Sequence, residues 1–178
     1  APVGLLGHSM GSGMLSRVAA TWPDHVRWLV SLDSLGPPMS QFADLDPAEV
    51  AAGAWAGLVK ALGRGQRVFP DRASMKAQRG AVNVRLPARW LDHLVEHGSI
   101  EVPGGRSWKW DAIFTTWLPD GFEPSWVTSD FACIECPVLA VMGGADDDAW
   151  TFPADEIPER SRHLRDLRLQ TVPDAGHY

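Results

Sequence analysis

The most constraining feature of the chain is a Gly-x-Ser-x-Gly motif at residues 7–11, between an apolar run and a helical pattern. The apolar run, Val3–Leu6, predicts a buried strand, and the residues after the motif predict a helix. A serine at such a sharp strand-to-helix turn is exposed and has a strained backbone. Glycine is expected two positions before and after Ser9, at Gly7 and Gly11, because both positions crowd against the turn.

The turn has a chemical consequence as well as a steric one. A serine hydroxyl is a weak nucleophile, so a motif that exposes it implies a nearby base that takes its proton. The following helix points backbone N–H groups at the turn, which favours a negative charge that develops there. The N–H of Met10, directly after Ser9, is the expected first donor of an oxyanion hole. The turn therefore suits nucleophilic attack on an acyl carbon.

The composition is that of a globular chain, and it excludes several classes of function. The chain has 178 residues, 45% of them hydrophobic, which is enough for one globular domain. Its formal net charge of -6 offers no basic surface for nucleic acid, and no apolar run is long enough to cross a membrane. Two cysteines are too few for a disulfide scaffold. We expect a small-molecule acyl substrate, no nucleic-acid or membrane partner, no cofactor and, with no leader visible, a cytoplasmic location.

The periodicity of the sequence divides the chain into three segments. Residues 1–36 form a strand, a helix and a second strand, which is typical of a right-handed parallel unit. Residues 37–132 contain helical pieces broken by glycine and proline, which indicates an inserted cap. Residues 133–178 return to strands, a buried one at 137–142 and a last one at 167–172. The predicted fold class is α/β, with four parallel strands and an inserted helical cap. Its helical pieces are expected at 47–62, 71–79, 87–97 and 111–118.

A base and an acid are expected at the ends of the later strands. A serine nucleophile needs a histidine that takes its proton and a carboxylate that orients the histidine. His177 follows the last strand and Asp146 the strand before it, and parallel strands bring such positions to one edge of the sheet. The spacing from Pro137 favours Asp146. Asp33, at the end of the second strand, is the alternative acid, although it is more simply a residue that hydrogen-bonds local backbone.

Together these segments resemble the α/β-hydrolase-fold superfamily. Residues 7–11 match its nucleophile elbow, Pro137–Asp146 resemble the strand that ends at its acid, and Pro173–His177 resemble its Pro-x-Ala-Gly-His loop. The cap is more loosely similar to the serine hydrolase-like branch. The resemblance implies a serine hydrolase that acts on carboxylic esters or related acyl substrates. Its catalytic residues would be Ser9, Asp146 and His177, with the Met10 N–H in the oxyanion hole.

The resemblance covers only part of the family's sheet. That sheet has eight strands, and this chain matches the last four together with the cap. The family's second oxyanion donor comes from an earlier segment, near its third strand. We therefore expect a fragment whose N-terminal half is missing. Two interpretations stay open: a serine hydrolase, and an inactive or incomplete fragment that needs its N-terminal half.

Two further motifs point to different chemistry. His93–His97 has the His-x-x-Glu-His spacing of a zinc-binding helix, but no third ligand is evident, and a wetted face of an amphipathic helix explains it as well. Cys133 and Cys136 have Cys-x-x-Cys spacing without a second pair. We predict no metal, and a zinc-binding His-x-x-Glu-His protein stays a remote alternative.

Overall fold

The computed structural model describes residues 1–38, 46–64, 66–111, 125–145 and 152–178. In chain order its elements are β1 (Val3–His8), α1 (Met10–Thr21), β2 (Val26–Leu32), α2 (Pro47–Arg64), α3 (Arg72–Val82), α4 (Ala88–Gly98), β3 (Ser99–Val102), β4 (Gly105–Trp108), α5 (Ser125–Cys133), β5 (Val138–Gly143), α6 (Glu156–Ser161) and β6 (Leu167–Val172).

The chain divides into two compact units. The sheet unit comprises Ala1–Asp44 and Glu123–His177, and the helical unit comprises Leu45–Phe122 with Tyr178. The sheet unit therefore extends beyond residue 36 and resumes before residue 133, where the sequence analysis set the limits of a cap.

Four parallel strands form the centre of the sheet unit, in the order β1-β2-β5-β6. The central strands β2 and β5 bury alternate residues such as Leu29 and Ala140, as expected where a sheet face is covered. The predicted α/β class with four parallel strands is confirmed. Because all four strands run the same way, their carboxyl ends lie at one edge of the sheet.

Helix α5 packs on α1 in the sheet unit. This helix was not among those predicted from the sequence. Its serine, threonine and valine residues have low helix propensity. It buries Val127 and Phe131 nearly completely, so tertiary packing rather than local preference stabilises it.

The helical unit contains α2, α3, α4 and an antiparallel hairpin formed by β3 and β4. Its buried core cluster is Phe69, Met75, Val95 and Trp108. The three helices lie close to their predicted bounds, whereas the hairpin lies where no strand was predicted. Gly104 and Gly105 turn the chain there with φ of 86° and 146°. The helix predicted at 111–118 lies almost entirely outside the described residues. None of the helices in the described ranges combines the length and the apolar character that a membrane crossing requires.

Candidate active site

Ser9 occupies a strained turn between β1 and α1. Its φ of 54° and ψ of -126° lie outside the regions that L-residues ordinarily adopt. The Ser9 N–H donates to the Leu32 carbonyl at 3.0 Å, which extends the pairing of β1 with β2 through the turn. Helix α1 then starts at Met10. Backbone strain of this kind persists only where the surrounding structure holds the residue in place.

Gly7 is required by its surroundings, as the sequence predicted. A Cβ atom at Gly7 would lie 2.7 Å from the Ser12 backbone nitrogen and 2.8 Å from the Gly11 carbonyl oxygen. The buried Ser12 hydroxyl also donates to the Gly7 carbonyl at 2.6 Å, which ties the first turn of α1 to the end of β1. Only a residue without a side chain permits this close approach.

Gly11 differs from that expectation. A Cβ atom there meets no atom of the described residues within 4 Å beyond its own helix and chain neighbours. The prediction that crowding requires glycine at this position is therefore wrong for the described part of the chain.

The start of α1 offers backbone N–H groups beside Ser9. The N–H groups of Ser12 and Gly13 both donate to the Ser9 carbonyl, at 2.9 and 3.3 Å. Met10 is the first helical residue, so helix geometry gives its N–H no acceptor within α1. The partial positive charge of the helix N-terminus adds to the attraction for an anion at this point.

His177 lies within hydrogen-bond distance of Ser9, as the sequence predicted. Its Nε2 is 2.9 Å from the Ser9 Oγ, and the residue is 5% exposed. The loop that carries it is anchored to the end of β5, because the Ala145 N–H donates to the Ala175 carbonyl at 3.0 Å. A Cβ at Gly143 would lie 2.7 Å from the same carbonyl oxygen, so glycine allows the loop to approach the strand.

Asp33 lies on the other side of the His177 ring. Its Oδ2 is 2.6 Å from Nδ1, and its Oδ1 accepts a hydrogen bond from the Gly143 N–H at 2.7 Å. Asp33 has a φ of 48°, and its own N–H donates to the Val141 carbonyl at 2.7 Å. A φ in this region is unusual, and aspartate tolerates it better than most residues.

These contacts determine the charge of Asp33. Burial alone would raise the pKa of Asp33. The hydrogen bonds from His177 and from the Gly143 N–H outweigh burial, with help from the charges of His177 and His8, so the pKa is lowered from its ordinary value. Asp33 is therefore ionised at neutral pH and accepts both hydrogen bonds as a carboxylate.

Among the described residues, Asp33 is the acidic side chain that contacts the His177 ring. Asp146 lies outside the described residues. The Nδ1 of His177 carries at most one hydrogen, and the 2.6 Å contact directs it at Asp33. The interpretation of Asp33 as a residue that bonds local backbone is wrong, because both of its side-chain partners are more than 100 residues away in sequence.

The tautomer of His177 follows from its two partners. A carboxylate only accepts hydrogen bonds, so Nδ1 is the donor to Asp33. In the neutral ring Nε2 is then an acceptor, and it faces the Ser9 hydroxyl. Such a ring can take a proton from Ser9 while Asp33 stabilises the positive charge that results.

Two residues near Ser9, His177 and Asp33 are poorly indicated by the sequence. His8 Nε2 donates to the His177 backbone carbonyl at 2.6 Å, in keeping with a histidine beside the nucleophile that packs and hydrogen-bonds. Arg160 is fully buried and donates to the Pro37 carbonyl at 2.7 Å, in the loop that follows Asp33. Burial lowers the pKa of Arg160. A charged residue in a helix is ordinarily expected on its exposed face, so nothing in the sequence indicates that Arg160 is buried.

The alternative motifs form no comparable cluster. His93 and His97 lie on exposed turns of α4, with ring centroids 4.4 Å apart and ring planes tilted by 54°. Glu96 faces Arg72 at 3.9 Å. Within the described ranges no three histidine, cysteine or acidic side chains come together as a metal site would require. Cys133 is exposed and Cys136 buried, neither in a disulfide, and burial raises the pKa of Cys136.

Comparison with known proteins places the chain in a family. A family model described as "Alpha/beta hydrolase family" matches residues 1–178. The Esterase Rv0045c of Mycobacterium tuberculosis is 28% identical over 174 residues, which are 97% of this chain and 54% of the esterase. The 2-(acetamidomethylene)succinate hydrolase of Mesorhizobium japonicum is 26% identical over 174 residues, which are 98% of this chain and 57% of that enzyme.

The solved structures support the same fold. The crystal structure of an E-2-(acetamidomethylene)succinate hydrolase superposes with a TM-score of 0.73 at 24% identity, covering 99% of this chain and 60% of that one. The chain thus spans about half the length of the curated relatives that it matches. From its family match over the whole of its length, the chain belongs to the alpha/beta hydrolase family.

Proposed function

We propose that the protein carrying this chain is a serine hydrolase that cleaves carboxylic esters or related acyl substrates. The single observation that supports this most is the continuous line of hydrogen bonds from Ser9 through His177 to Asp33, with distances of 2.9 and 2.6 Å. In the proposal Ser9 is the nucleophile, His177 the general base and Asp33 the orienting acid. The Met10 N–H donates to the oxyanion.

The first half of the reaction acylates the enzyme. The Ser9 Oγ forms a bond to the acyl carbon while its proton moves to the His177 Nε2, and the carbonyl electron pair moves onto the oxygen. The Met10 N–H and the N-terminus of α1 stabilise that oxyanion. The tetrahedral intermediate then collapses, the bond to the leaving oxygen breaks, and His177 gives its proton to the leaving alcohol.

The second half releases the acid and restores the site. Water loses a proton to His177 and attacks the acyl carbon, and the bond to Ser9 Oγ breaks as that oxygen regains a proton from His177. Asp33 stays ionised throughout, which its lowered pKa favours, and it stabilises the imidazolium in each half.

The acyl class follows from the chemistry of this nucleophile. An alkoxide formed from serine attacks carbonyl carbon, and one histidine suffices to protonate an alcohol leaving group. Among the relatives one is named an esterase and one a 2-(acetamidomethylene)succinate hydrolase, so the named relatives do not share one substrate. We favour esters because they need the least activation of the leaving group.

The first experiment asks whether Ser9 is an activated nucleophile. The whole natural protein is incubated with a fluorophosphonate probe, which reacts covalently with such serines, and its hydrolysis of a 4-nitrophenyl ester is measured. We expect labelling and turnover in the wild type. Ser9→Ala abolishes labelling and lowers turnover at least ~10³-fold with the fold retained. Ser16→Ala, a matched change within α1, retains both.

The outcomes are distinct. If Ser9→Ala is labelled and active, the nucleophile is another residue and the proposal is wrong. If the wild-type protein is folded but neither labelled nor active, the proposal is wrong as well, and the inactive alternative named in the sequence analysis is favoured.

A further inference from the structure

We propose that His8 is a positioning residue, which holds the backbone of His177 so that its ring faces Ser9. This inference rests on the proposed function. His8 does not touch the reacting atoms in the proposal, and its ring forms a hydrogen bond to the His177 backbone.

The evidence is a direct contact between two histidines that are 169 residues apart in sequence. The His8 Nε2 lies 2.6 Å from the His177 backbone carbonyl oxygen. Their rings lie side by side, with centroids 4.7 Å apart and planes tilted by 39°. Since a carbonyl oxygen only accepts hydrogen bonds, the His8 Nε2 is the donor.

The place of His8 in β1 explains why it reaches this carbonyl. Side chains alternate between the two faces of a strand, so His8 points opposite to Gly7, which faces α1. His8 is also the last residue of β1, directly before the strained Ser9. His8 therefore links the strand that ends at Ser9 to the loop that carries His177.

That loop needs support at its end. The Ala145 N–H anchors it at the Ala175 carbonyl, two residues before His177. Beyond this anchor the ring of His177 must keep two hydrogen bonds at once, to Ser9 and to Asp33. A second anchor on the His177 carbonyl fixes the backbone from which that ring extends. Displacement of a catalytic group by about 1 Å costs roughly 10²-fold in rate.

The test replaces the hydrogen-bond donor and then restores it. His8→Met keeps an apolar side chain of similar reach without a donor. His8→Gln keeps an N–H at about the position of the ring Nε2. Because His8 is exposed, neither change should unfold the protein. His25→Met is the matched control, since His25 is also an exposed histidine in the sheet unit.

The assay measures kcat, KM, the rate of fluorophosphonate labelling and the melting temperature of the whole protein. We expect His8→Met to lower kcat and the labelling rate by ~10- to 100-fold with KM nearly unchanged. His8→Gln should recover most of the loss, and His25→Met should match the wild type. The downfield proton resonance of the His177–Asp33 hydrogen bond should weaken in His8→Met and return in His8→Gln.

The inference is overturned if His8→Met is as active as His25→Met, or if His8→Gln is as impaired as His8→Met at an unchanged melting temperature. Ser9→Ala, run beside them, separates this result from the proposed function. If Ser9→Ala is inactive while His8→Met is fully active, only the role of His8 fails. If Ser9→Ala is active, the proposed function fails and the role of His8 fails with it.

Discussion

Replacing Gly7 by alanine tests how tightly the turn at Ser9 is built. The new Cβ would lie 2.7 Å from the Ser12 nitrogen and 2.8 Å from both the carbonyl carbon and oxygen of Gly11. All three contacts are well inside 3.4 Å, where ordinary van der Waals contact begins. The neighbours are backbone atoms of α1, so no side-chain rotation relieves the overlap.

The size of the effect follows from these distances. Overpacking in a well-packed site typically costs about 1–3 kcal/mol, and the rigidity of the backbone here places Gly7→Ala near the upper end. Relief of the overlap requires α1 to shift away from β1, which displaces Ser9 from His177. We therefore expect a loss of about 3 kcal/mol in the free energy of unfolding and a fall in turnover.

Gly11→Ala is the matched control for the same motif. A Cβ at Gly11 meets nothing within 4 Å in the described part of the chain, and alanine is a better helix former than glycine. We expect its free energy of unfolding to stay within about 0.5 kcal/mol of the wild type, or to rise by up to about 1 kcal/mol. Equilibrium urea unfolding followed by circular dichroism measures both variants. Equal losses for Gly7→Ala and Gly11→Ala would refute the steric explanation of the turn.

Three further predictions concern the surroundings of the site. Gly143→Ala places a Cβ 2.7 Å from the Ala175 carbonyl oxygen, so it should lower kcat by more than its effect on the free energy of unfolding explains; normal turnover would contradict this. Because the pKa of Asp33 is lowered in the folded state, its carboxylate stabilises the fold at pH values above its unfolded-state pKa of about 3.9. Unfolding scans of the wild type should show that this stabilisation is lost as the pH falls below that value, and scans of Asp33→Asn should show no such loss. Arg160→Ala removes a buried cation from the Pro37 carbonyl and should cost about 3 kcal/mol in urea unfolding, whereas a change under 0.5 kcal/mol would show that the buried charge is dispensable.

The sequence was most informative where local pattern and position coincide. The two later strands, predicted at 137–142 and 167–172, lie within one residue of those bounds, at Val138–Gly143 and Leu167–Val172. Ser9 and His177 are predicted to lie together because both follow strands of one parallel sheet. Short helices were harder to predict from the sequence. Helix α5 has weak helix propensity, and the packing of Val127 and Phe131 stabilises it.

The sequence alone does not decide between Asp33 and Asp146 as the acid. Asp33 and Asp146 follow neighbouring strands, so the same argument brings both to the edge of the sheet near His177. Spacing along the chain cannot determine which one has the backbone geometry to reach Nδ1. The positive φ of Asp33 and the Gly143 N–H that orients its carboxylate are visible only in three dimensions.

The most direct test of the proposed Ser9–His177–Asp33 arrangement compares Asp33→Asn with Asp146→Asn in the whole protein. The measurement is the rate at which a fluorophosphonate labels Ser9, identified by mass spectrometry of the labelled peptide. An asparagine at position 33 can donate to Nδ1, which favours the wrong tautomer of His177, and the serine–histidine–aspartate precedent for such a change is a loss of about 10⁴-fold. We expect labelling of Asp33→Asn to fall by at least ~10³-fold and that of Asp146→Asn to stay within about threefold of the wild type. The reverse result, with Asp146→Asn inactive and Asp33→Asn nearly normal, would contradict the assignment of Asp33.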